Sequence, residues 1–296
     1  MGIVAKSICI GRGSLLFVAL LSIAACSTVS PDQVTTFGHG VDAAKLQTDT
    51  TFAGINEMVT AEEVNRAVRL SKLTEDDVAV VLPAKSIAQW DRTFDVIHLY
   101  VANLTLLISP DRAKDFSTAT ESLASSLGKL DPKLFPSPGV ASGFTELGRL
   151  LIEAKAASDA RQAALTVDPA MQQIFPTMAS AIGASNDQQG GLRKLVWGIW
   201  EERLDSQSIA FSRASVEARR PAVLTYIDLR DKRDAQDLQM ASLHQSYLDL
   251  AAAHSALARG SNIDLTAAVD RLQQELEATR ALQAQFTSLK PKAEEK

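Results

Sequence analysis

Four histidines and two cysteines are the side chains of this 296-residue chain with the most scope for acid–base, metal or nucleophilic chemistry. His98 follows Asp95 by three residues. On a helix that spacing sets both on one face. The carboxylate could then orient the imidazole as a general base, as in a hydrolase-type enzyme. The simpler expectation is a histidine at the edge of an apolar stripe, satisfied by Asp95 or a carbonyl. His244 and His254 stand ten residues apart, about 80° around a helix, so they do not form a ligand pair. His39 lies between Gly38 and Gly40. No His-x3-His, His-Glu-x2-His or repeated Glu-x2-His spacing occurs, which gives zinc and di-iron sites no support. Gly-x-Ser-x-Gly and a glycine-rich phosphate loop are also missing. The expectation is a non-enzymatic protein with no catalytic residues and no metal or cofactor.

The cysteines read differently. Cys26 ends the run Leu21-Ser22-Ile23-Ala24-Ala25-Cys26. Upstream lie Lys6 and Arg12, no acid, and an apolar stretch from Leu15 to Ile23. That stretch of nine residues is well short of the roughly 20 a membrane-spanning helix needs. The segment resembles the signal peptide and lipobox of bacterial lipoproteins. The resemblance covers only the first 27 residues. It implies that residues 1–25 are a signal peptide and that Cys26 carries diacylglycerol and an N-acyl lipid. Ser27, in place of an aspartate, implies an outer-membrane address facing the periplasm. With Cys9 in the leader and Cys26 acylated, no cysteine remains for a disulfide.

Loss of the leader takes the formal net charge from −5 to −7, which argues against nucleic acid as a partner. The remainder is rich in Ala, Leu, Gln and Ser and poor in aromatics. It lacks alternating β-branched runs, so the expected class is all-α. Residues 26–33 read as a tether, 34–289 as one helical domain and 290–296 as a disordered charged tail. A first helix is expected over about 34–73, with Thr60 able to start a separate one, and Thr74 caps a further short element. Trp90, Phe94, Ile97, Val101, Leu104 and Ile108 recur at four-and-three spacing, the seam of a central helix. Ser109 to Asp111 breaks it, and Phe116 to Leu130 forms the next helix.

Residues 131–143 read as a long Pro/Gly loop, followed by a helix from Phe144 to about Leu165. Asp168-Pro169 looks like the cap of another, kinked at Pro176. After a loop over 185–191, a nearly unbroken helix runs from Leu192 to about Ala258, bent at Pro221. A turn at Gly260 then sends the last helix, Leu265 to Leu289, back along it. Helices of such length imply an elongated antiparallel bundle with coiled-coil-like long helices.

Trp197 and Trp200 share a helix face, and Phe135 sits in the Pro-rich loop. Core anchoring is the default for all three, and a partner hot spot is the sharper alternative. Arg230 to Asp234 reads as a solvated run with an Arg230–Asp234 pair. The function expected is a structural or protein-interaction scaffold, held in the membrane by its lipid and bound to an envelope protein or to itself. A membrane-active, pore-forming-like bundle is the alternative, suggested by the apolar segment Val96 to Ile108.

Overall fold

The computed structural model describes residues 29–68, 70–78, 81–108, 113–129, 131–154, 159–185 and 191–288. The leader, Cys26, Ser27 and the tail 290–296 lie outside them. Helix α1 (Pro31–Ala67) starts three residues earlier than expected, because Ser30-Pro31-Asp32-Gln33 is a capping box. The Ser30 amide donates to Gln33 Oε1 at 2.9 Å, and the Gln33 amide donates to Ser30 Oγ at 3.3 Å. Proline suits the first helical position because its missing N–H would be unpaired there. Val29 is already buried, so the packed part of the chain begins before the expected residue 34. The helix runs unbroken through Gly38, Gly40 and Thr60, none of which ends or restarts it.

Thr74 opens a 3-10 turn (Glu75–Val78) in which Asp77 accepts from the Thr74 amide and hydroxyl. Pro83 precedes α2 (Ala84–Ile108), whose Trp90, Phe94, Ile97, Tyr100 and Leu104 are buried as the apolar seam requires. After α3 (Ala113–Gly128) comes a 3-10 turn (Pro132–Leu134) capped by Asp131. The expected loop over 131–143 ends early. Ser137 caps α4 (Pro138–Ala154) by accepting from the Val140 amide, so Pro138 and Gly139 are its first turn. Helix α5 (Ala160–Ile182) is capped by Asp159, which accepts from the Gln162 amide at 2.8 Å. Asp168 and Pro169 are therefore interior, and the expected helix start at 168 is corrected to 160.

The largest correction is between α6 (Leu192–Arg213) and α7 (Val216–Arg259). The chain reverses at Ala214-Ser215, where one continuous helix was expected. Pro221 falls in the second turn of α7. Gly260, in the left-handed region at φ 71°, closes α7 as expected and leads into α8 (Asn262–Ser288).

Among the described residues the fold is eight α-helices without a strand. They form a bundle organised on α7, which touches α1, α5, α6 and α8. Helix α1 runs antiparallel to α7, with Phe37 beside His254, Thr48 beside Tyr247, and Gly54 beside Gln236. Helix α8 folds back along α7, pairing Arg271 with Asp249 and Thr279 with Gln239. It lies parallel to α1, where Gly40 lets the two helices close. A Cβ at Gly40 would stand 3.1 Å from Leu272 and Val269. Helices α2 to α5 complete the wall on the other side.

Helix α4 meets α5 at Gly143, where a Cβ would stand 2.6 Å from Ile174 Cγ1 and 3.5 Å from its backbone nitrogen. Ile174 is fully buried and has nowhere to move. Gly143→Val should therefore lower stability by about 1–3 kcal/mol, an overpacking cost. Denaturant unfolding measures it, and an unchanged midpoint would contradict the close approach.

Candidate functional site

Two places in the bundle gather more chemistry or more exposed apolar surface than packing demands. The first is a buried relay. Tyr100 of α2 donates its hydroxyl to His254 Nε2 at 2.8 Å, and His254 Nδ1 contacts Asp168 Oδ1 at 2.8 Å. A carboxylate can only accept, so Nδ1 carries the imidazole proton and Nε2 is free to accept from tyrosine. Ser255 and Gln172 also donate to Asp168. Burial disfavours the Asp168 charge, but its interaction with His254 and the hydrogen bonds from Gln172 and Ser255 outweigh that and hold the carboxyl below its ordinary pKa. Burial, with the nearby Asp168 charge, pushes the Tyr100 phenol well above its ordinary value.

The order carboxylate–imidazole–hydroxyl is that of a nucleophilic triad. Access decides against that use. Tyr100 is 1% exposed and His254 is 0% exposed, with Phe37 edge-on to the imidazole at 5.5 Å. The relay ties α2, α5 and α7 together, with the imidazole and phenol buried and the Asp168 carboxylate partly exposed.

The residues singled out from sequence separate cleanly. Asp95 is exposed, and His98 is bonded instead to Asp42 of α1 at 2.9 Å. The expected carboxylate partner was thus on the wrong helix. His244 contacts the Ala179 carbonyl, and His39 is exposed. Trp200 is fully buried and donates to Gln236, while Phe135 is buried and stacked on Phe144 at 4.9 Å. Neither can meet a partner, so both are core anchors. Trp197 is half-buried under the Arg233 guanidinium, 4.1 Å from its ring centre. In the charged run, Arg230 pairs with Asp231 and Arg233 with Asp234, and the Asp234 charge also acts on Arg230. Cys26 lies outside the described residues. None of the described helices is long and apolar enough to cross a membrane, and no described group of His, Cys, Asp or Glu could hold a metal ion.

The second place is the hairpin of α6 and α7. No residue between Leu204 and Leu229 is buried. Gln207 donates to the Ala222 carbonyl at 3.0 Å and holds the two helices side by side. Yet this arm exposes Ile209, Phe211, Val216, Val223, Leu224, Tyr226 and Ile227, with Val216 74% and Leu224 59% exposed. At 100° per residue, Val216, Leu224 and Ile227 fall on one side of α7, away from Ala222, which faces α6, and Val223 lies at the edge between the two faces. A cavity of about 150 Å³ opens between the helices, lined by Ser208, Phe211, Ala222, Val223 and Tyr226. Arg213, Arg219 and Arg220 crown the arm, with Arg219 stacked over Phe211 at 5.5 Å. Glu217 is the only acid between Ile209 and Tyr226.

The end of α1 adds to the same end of the bundle. Glu63 pairs with Arg203 at the base of the hairpin, and Val64 and Val68 beyond it are exposed. The continuous helix expected from Leu192 to about Ala258 contains no such arm. The missed signal was the reversal at Ala214-Ser215, since Ser215 is an acceptable helix N-cap with Glu217 in the first turn.

No protein-family model matches the chain, and no curated protein or solved structure is significantly similar to it.

The relay has a pH signature. The Asp168 pKa is depressed in the folded state, so its contribution is present above the unfolded value, near 3.8, and is lost as pH falls through the folded one. Acid unfolding of the parent should steepen below about pH 4. Asp168→Asn should flatten that limb and cost about 1–3 kcal/mol at neutral pH, as should His254→Ala. Circular dichroism against pH and denaturant checks both, and an Asp168→Asn acid limb identical to the parent would refute the assignment.

Proposed function

We propose that the protein is a lipid-anchored, non-enzymatic scaffold of the bacterial envelope, presenting a protein-docking hairpin far from its membrane end. The observation that carries this reading is the exposed apolar arm over residues 205–228 at one end of α7. The start of α1 lies at the other end, because Phe37 is level with His254. Helix α7 has 44 residues, about 66 Å of axis at 1.5 Å per residue. Only two residues separate Cys26 from buried Val29, a reach of about 11 Å at most. An acyl chain on Cys26 would hold the bundle end against the bilayer and stand the arm tens of ångströms into the periplasm.

Arm composition favours a protein partner. Phe, Tyr and Arg are enriched at interface cores and Lys is depleted, and residues 205–228 contain no lysine. An exposed patch of several large apolar side chains marks an interaction surface on a monomer. The full burial of His254 and Tyr100 supports the non-enzymatic reading.

The anchor is tested by Cys26→Ala in the full chain. Metabolic palmitate labelling and outer-membrane fractionation should both be lost, and a variant still labelled would overturn the lipid assignment. The scaffold is tested by Leu224→Asp with Ile227→Asp. Both positions are exposed, so the unfolding midpoint should move by no more than about 0.5 kcal/mol. The variant should nonetheless fail to complement a deletion strain. Full complementation would overturn the arm's role.

A further inference from the structure

We propose that the occupant of the α6–α7 arm is an acidic amphipathic helix of an envelope protein. It would lie along Val216, Val223, Leu224 and Ile227 and complete a three-helix unit. The inference rests on the scaffold reading and names the partner's chemistry. On α7 Val216, Leu224 and Ile227 form a stripe at helical spacing, with Val223 at its edge and Arg220 set among them. A helix whose own apolar face repeats every three or four residues matches that stripe, the helix-in-groove mode of recognition.

Charge selects among such helices. Over 205–228 the three arginines are balanced by Asp205, Glu217 and Asp228, but at the tip of the arm, 213–220, Arg213, Arg219 and Arg220 stand against Glu217 alone, a local balance of +2. Carboxylates flanking the partner's apolar face would meet these guanidiniums in bidentate geometry.

The same facts weigh against other occupants. Two copies anchored in one bilayer stand parallel, which sets their three arginines against each other. A bilayer met tip-first would have to take Arg213, Arg219 and Arg220 ahead of Leu224 and Ile227, the costly order for insertion.

The test is in-cell photocrosslinking of the full chain. A photoreactive residue replaces Leu224, with Ile263 at the opposite end as control. The expected product is a heterologous protein joined through a segment with acidic and apolar residues in helical alternation. A synthetic peptide of that segment should bind the purified full-length chain. Affinity should fall about tenfold or more in R219E/R220E and with added salt, and recover when the peptide's acids are changed to lysine. Circular dichroism of R219E/R220E confirms that the exposed pair leaves the fold intact. A protein crosslinked through a basic or extended segment, or binding indifferent to charge reversal, overturns the inference and leaves the scaffold reading standing. Crosslinks to lipid, to a second copy, or to nothing overturn both.

Discussion

Everything in this bundle depends on α7 finding partners for the polar side chains it buries. Gln236, Gln239, Ser246, Asp249 and His254 are all buried along one helix. A buried polar group without a hydrogen bond costs several kcal/mol in an apolar medium, so each constrains its neighbours. Trp200 donates to Gln236, Ser246 donates to Gln47, Arg271 donates to Asp249, and Tyr100 and Asp168 bracket His254. These partners come from α6, α1, α8, α2 and α5. Sliding any of those helices by one turn would strand a polar group in the core. Leucine and alanine packing alone tolerates such slips far better, so the polar pins select one register.

The same helix divides the molecule into two physical regimes. From Leu229 to Ala258 it is surrounded, and its apolar side chains form the core with α1, α5 and α8. Before Leu229 it has only α6 for company, and its apolar stripe continues into water. A continuous helix joins the two, with Pro221, which lacks an N–H for the hydrogen-bond ladder, near the start of the arm. The arm is thus one end of a long helix whose other end is held by the relay at His254.

Much of the bundle was legible in sequence because periodicity reports burial directly wherever one face is apolar. The Trp90 to Leu104 seam, the Gly260 turn and the return of α8 all followed from spacing alone. The boundaries at Ser30, Ser137 and Asp159 were missed although the capping residues are visible. Pro138 reads locally as part of a loop, Pro169 as the opening of a helix and Pro176 as a kink. Pro31 and Pro138 sit in first turns, where proline costs nothing, and Pro169 and Pro176 are carried inside α5. His98 shows the limit of local reasoning. Its nearest acid in sequence, Asp95, points to solvent, and its true partner Asp42 is 56 residues away.

The sequence alone determined the all-α class, the long helices, the acidic balance and the lipobox-like run ending at Cys26. These depend on composition and on neighbours within a few residues, where side-chain spacing and chain chemistry act directly. Tertiary structure decided which histidine lies in a hydrogen-bonded relay and which tryptophan is core. It also decided which apolar stripe has no helix to cover it. The periodic pattern of Val216, Leu224 and Ile227 is the same whether a neighbour packs on it or not. Burial is a property of the neighbour, and only the reversal at Ala214-Ser215 takes that neighbour away.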